Sequence, residues 1–145
     1  VEMIKGIEAR YKEGHGKSPA IITTVEGVDE LIDDLLAGED TFSTLAEAYS
    51  LDRGPSPSGY PGHQLLVGVK KSLNLGIVSY MDEDGNVSSV GSPETRVKPT
   101  YHFMWHMTEF FDHSEVPIPL VRQAVKEFLL SGGRRPSCVE WQPQD

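Results

Sequence analysis

The stretch Val116–Gln142, VPIPLVRQAVKEFLLSGGRRPSCVEWQ, does most to limit what this chain can become. Leu120, Val121, Ala124, Val125, Phe128 and Leu129 recur at the spacing of an amphipathic helix, and Arg122, Gln123, Lys126 and Glu127 fill the opposite side. Pro117 and Pro119 fit its start, because the N–H that proline lacks has no intrahelical partner in the first turn. Gly132 and Gly133 follow the last apolar residue and suit a left-handed C-terminal cap. After Arg134, Arg135 and Pro136, the run Ser137–Trp141 reads as a short strand. A helix stopped by glycine and followed at once by a strand needs a sheet against which to bury its apolar face. The last strand is expected in that sheet.

The earlier chain supplies strands for it. Residues 2–12 alternate apolar and polar, residues 13–18 carry turn chemistry, and Pro19–Thr24 forms a second short strand on Ile21 and Ile22. A helix follows, capped by Thr23 or Thr24, with Thr23 and Glu26 at capping-box spacing. Its apolar face is Val25, Val28, Leu31, Ile32, Leu35 and Leu36, and Gly38 ends it. Its polar side holds only acids. The segment 42–51 is expected as a strand, and 53–63, rich in proline and glycine, as a loop. Gln64–Lys71, Leu75–Met81 and Val87–Val90 are hairpin-linked strands, with Asp84-Gly85 a strong turn signal between the last two. Pro99–Met107 reads as one aromatic-rich strand, and 108–115 leads into the final helix. The order ββαβββββαβ predicts an α+β fold: one mainly antiparallel sheet with two amphipathic helices packed on one face.

With 145 residues and no internal linker, a single domain spanning 1–145 is expected. No apolar run approaches the ~20 residues that span a bilayer, and no basic-then-apolar stretch marks a signal segment. The lone Cys138 makes no internal disulfide, which fits a reducing, cytoplasmic setting. The net charge of −9 argues against direct nucleic-acid binding and favours a basic partner.

Constellations that carry chemistry are sparse. His102 and His106, with Glu109 beyond them, have the spacing of a zinc-enzyme helix, but Phe103 stands where the general-base Glu belongs. In one strand the two histidines lie about 13 Å apart, too far for one ion. Asp82, Asp84 and Asn86 lack the glycine and distal glutamate of a calcium loop. Cys138 is expected as a structural thiol. No catalytic residue, metal or cofactor is expected. The alternative is a small metal- or ligand-binding enzyme domain built on His102, His106, Glu109 and the loop Gly54–Gly62. What stands out is a surface: Trp105, Phe110 and Phe111 lie beside Glu109, Asp112 and Glu115, as aromatic anchors with an acidic rim. The competing reading puts all three rings in the core or over a sheet edge.

Taken together, Thr24–Gly38, His63–Gly76 with Gly68 and Val69, the Asp84-Gly85 hairpin, and Ile118–Gln142 with Ala124, Phe128, Leu129, Gly132, Arg135, Pro136, Trp141 and Gln142 carry a family likeness. In their order and spacing the chain resembles the immunity proteins of bacterial polymorphic toxin systems, in the family often paired with cytidine deaminase toxins. It departs from that pattern at 106–112, where a Gly-His pair and a Phe-Pro are expected. The resemblance implies a non-catalytic cytoplasmic protein that binds and neutralises a cognate toxin domain, with a basic substrate groove as its target. Occlusion of the toxin's active site is the expected mechanism and distortion of the toxin the alternative. The candidate toxin-binding residues are Trp105, Glu109, Phe110, Phe111 and Asp112, then Asp82, Glu83 and Asp84 at the hairpin tip.

Overall fold

The computed structural model describes residues 4–12, 15, 17–38, 44–53, 62–103 and 106–143. Among the described residues, ten strands and two α-helices follow one another along the chain. The strands are β1 (Ile7–Arg10), β2 (Ala20–Ile22), β3 (Leu45–Ser50), β4 (Gln64–Lys70), β5 (Leu75–Asp82), β6 (Gly85–Ser89), β7 (Thr100–Phe103), β8 (His106–Glu109), β9 (Val116–Pro117) and β10 (Trp141–Pro143). The helices are α1 (Val25–Ala37) and α2 (Ile118–Leu130). One antiparallel sheet runs β10-β6-β5-β4-β3-β1-β2, with β9 on the part of β5 that β6 leaves free. This is the expected α+β architecture.

Both helices lie on one face of that sheet. Val28, Leu31, Ile32 and Leu35 of α1, and Val121, Ala124, Val125, Phe128 and Leu129 of α2, are buried with Ala46, Leu65, Val67, Val78 and Tyr80 of the strands. Because strand side chains alternate, every second residue of β3, β4 and β5 supplies this core. Thr24, not Thr23, caps α1: its Oγ1 accepts the Gly27 N–H at 3.1 Å. At the far end of α2 the chain turns through Gly132 and Gly133, both with positive φ, and the Gly133 N–H donates to the Phe128 carbonyl at 3.0 Å.

The acids of α1 are not free. Arg122 on α2 reaches Asp29 at 2.9 Å and Asp33 at 2.6 Å, and Lys126 reaches Asp29 at 3.0 Å. Lys126, then Arg122, hold the Asp29 carboxyl below its usual range. The polar side of α1 is therefore partly a seam between helices.

Two strand expectations shift. The final strand lies at Trp141–Pro143 and pairs with β6, whereas Ser137–Glu140 forms the approach to it. The single strand expected over Pro99–Met107 is instead the β7–β8 hairpin, in which Phe103 faces His106. The sequence at the reversal, Phe103-Met104-Trp105-His106, has none of the glycine, proline or asparagine that mark a turn. The hairpin lies on the sheet face away from the helices and forms a second, smaller core with Leu45, Ile77, Tyr101 and Phe110. Gly68 makes room for it: a Cβ there would stand 2.7 Å from the Tyr101 ring.

Candidate functional site

The hairpin sorts the candidate residues by direction. Tyr101 is fully buried, so Tyr101, Phe103 and their partners Thr108 and His106 share the side turned to the sheet. Thr100, His102, Met107 and Glu109 share the outer side, where Met107 is 64% exposed. His102 and His106 therefore point to opposite sides of a hairpin instead of sharing one face of a strand. This splits the His102, His106, Glu109 trio on which the metal-binding alternative relied. Among the described residues no group of three His, Cys, Asp or Glu is placed to hold a metal ion. Trp105 and positions 54–61 of the glycine-rich loop lie outside the described residues.

Beyond β8, Glu109, Phe110, Phe111 and Asp112 line a groove of about 700 Å³ together with Lys98 and Gln142. Glu109 and Asp112 are exposed and Phe111 is half-buried. Phe110 differs from the expectation: it is 3% exposed and meets the Tyr101 ring edge-on at 5.9 Å. It supports the groove from below and is not a surface anchor. Adjacent aromatic residues on an extended chain point to opposite sides, which is why one of the pair is inside. The Asp112 Oδ1 accepts the Lys98 N–H at 2.9 Å, joining the two walls.

The groove is braced by Glu115, whose side chain is fully buried. Arg96 holds it in a two-pronged contact, Nε to Oε1 at 2.8 Å and Nη2 to Oε2 at 2.9 Å, and the Tyr101 hydroxyl donates to Oε2. Burial first, and then this carboxylate, push the Tyr101 hydroxyl far above its ordinary range. The same contact raises the Arg96 guanidinium. The loop before Arg96 is tied in through the Gly91 N–H to the His113 carbonyl at 2.6 Å, and the His113 N–H to the Arg96 carbonyl at 2.9 Å. A Cβ on Gly91 would sit 1.7 Å from the Glu115 carbonyl oxygen, so the backbones touch. Nothing in the sequence marks the clasp beyond one oddity, an acid directly before the apolar run that begins at Val116.

The hairpin tip Asp82, Glu83 and Asp84 lies at a different concavity. A cleft of about 550 Å³ is lined by Asp82 and Asp84, and also by Arg53, Arg134 and Arg135. Arg53 donates to the Tyr80 hydroxyl at 2.6 Å and to the Gly133 carbonyl at 2.9 Å, and stands 3.9 Å from Glu83. The tip is thus an acidic edge facing arginines, not an isolated anionic prong. It shares no lining residue with the Glu109–Asp112 groove. Cys138 is half-buried, and burial followed by a hydrogen bond to Glu127 pushes its thiol up to about 11, which suits a structural role.

No curated protein matches the chain. A family model described as Immunity protein Imm1 matches residues 16–143. That span takes in both helices, the groove and the acidic tip, so the chain belongs to the Imm1 family of immunity proteins.

Proposed function

We propose that this Imm1-family protein neutralises a nucleic-acid cytidine deaminase toxin, one acting on DNA, by filling its substrate groove. It does so as a non-catalytic binder in the cytoplasm. The observation that carries this reading is the groove after β8, where the exposed carboxylates of Glu109 and Asp112 flank the half-buried ring of Phe111 on a chain of net charge −9. A deaminase that handles nucleic acid needs a basic surface for the phosphates and a pocket for the extruded base. An acidic rim around an aromatic ring complements both, and opposite charge speeds the encounter. Among the described residues no helix is long and apolar enough to cross a membrane.

The test is calorimetric titration against the toxin domain encoded beside this protein, at two salt concentrations. Nanomolar or tighter binding that weakens as salt rises is expected. Tight binding indifferent to salt would retain the immunity role and overturn charge complementarity. A Phe111→Ala, Asp112→Ala double variant is expected to lose at least ~2 kcal/mol of binding energy, the scale of a hot spot. A correctly folded double variant with unchanged affinity would remove this groove from the contact.

A further inference from the structure

The sheet has a second exposed feature. Its helix-free face is covered at one end by the β7–β8 hairpin, through Leu45, Gly68 and Tyr101. Toward β1 and β2 no described element covers it. There the strand register aligns Arg10 with Glu47 and Glu47 with Leu66, and the neighbouring row pairs Glu8 with Tyr49. Glu47, Tyr49 and Leu66 are half-buried, and Ile21 at the outer edge is 56% exposed.

Glu47 is the anomaly in this field. Its neighbours are committed to one another: Arg10 contacts Glu8 at 3.3 Å and lies over the Tyr49 ring at 5.8 Å, and the Tyr49 hydroxyl accepts from Gln64 at 2.7 Å. The Glu47 carboxylate makes no hydrogen bond or ion pair to any described residue. Burial holds its carboxyl above the usual range, and Arg10 and His106 offset this only at a distance. A half-buried carboxylate without a partner is a standing cost to the folded chain. Breaches of local consistency of this kind are expected at functional or strained sites.

We infer that this open face is the centre of the toxin contact, with Glu47 receiving an arginine or lysine of the toxin and Leu66 and Tyr49 receiving the apolar stem of that side chain. The inference rests on the toxin-neutralising reading above and extends its contact from the β8 groove across the sheet, with His106 at the join. The occupant follows from charge: among the described residues of this face, Glu47 is a carboxylate without a hydrogen bond or ion pair, registered beside Leu66, which suits a cation on a long aliphatic stem.

The experiment uses the full chain and the toxin domain encoded beside it. Glu47→Gln keeps the shape and removes the charge; Glu47→Arg reverses it; Glu94→Gln, on an exposed loop, is the control. Glu47→Gln is expected to weaken binding 10- to 100-fold while the melting temperature holds or rises. Glu47→Arg is expected to weaken it by more than 100-fold, and Glu94→Gln to change nothing. Wild-type affinity in both Glu47 variants overturns the inference and leaves the immunity reading standing. So does a loss of binding that tracks a fall in melting temperature, which would give Glu47 a structural role. A wild-type protein that does not bind the toxin overturns both.

Discussion

Replacing Arg96 with methionine is expected to destabilise the protein by about 3–5 kcal/mol in urea unfolding, the cost of stranding a buried carboxylate whose cation lies at the surface. Glu115 has no access to solvent, and both of its oxygens are occupied, by Arg96 and by the Tyr101 hydroxyl. Methionine retains the bulk of the stem and leaves the carboxylate with one partner in place of three donor contacts. Adding Glu115→Gln to Arg96→Met is expected to recover part of the loss, because a neutral amide no longer demands a cation, and the double-mutant cycle isolates that coupling. Arg96→Lys keeps the charge but not the fork, and falls between wild type and methionine. Toxin affinity is expected to fall with stability, since Glu115 anchors the strand that leaves the groove. A cost below ~1 kcal/mol for Arg96→Met would show that the carboxylate finds water, and the clasp would lose its structural importance.

A second large effect follows from His63. The ring is 2% exposed, lies against Phe128 and Tyr49, and accepts the Ser50 N–H on Nε2 at 2.7 Å. An accepting Nε2 requires the neutral ring with its proton on Nδ1, which is buried and has no partner among the described residues. Burial, and then the nearby Arg53, push this histidine down to about 4. The unfolded chain takes up a proton near the ordinary histidine value, at which point the folded chain does not. Stability is therefore full above about pH 6.5 and is lost as pH falls toward about 4, by about 3 kcal/mol from this residue alone. Urea unfolding between pH 7 and pH 4 should show that slope, and the same series on His63→Gln should lack it, because glutamine offers Ser50 an acceptor that does not titrate. Parallel slopes in the two proteins would assign the acid sensitivity to the carboxylates.

The helices were legible because periodicity and punctuation agree in them. The apolar residues of 120–129 and the glycine pair that follows specify both the buried face and the stop, and α1 is written as plainly between Thr24 and Gly38. The α+β architecture follows, since two such helices need a common sheet. The β7–β8 hairpin was not legible, because Phe103–His106 carries no turn residue where the chain reverses. That single omission changed the geometry of His102 and His106. The Glu115 clasp was hidden for another reason: its members come from a loop, a strand and the approach to α2, and no local pattern reports a contact over 19 residues. At the candidate site the acids were visible as residue types, but not what already faces them. Asp82 and Asp84 share their cleft with arginines, and Asp29 and Asp33 answer α2. Glu47, unremarkable in sequence, makes no hydrogen bond or close ion pair to a described residue.

The β7–β8 hairpin divides its sequence into two vocabularies. Tyr101, Phe103 and Phe110 are read by the sheet beneath, while His102, Met107 and Glu109 are read only by whatever approaches from solvent. Drift at the second set leaves the first untouched, because a pleated strand separates them residue by residue. The hairpin thus carries an outer text that is rewritable at every other position, while the inner text keeps the page attached to the book.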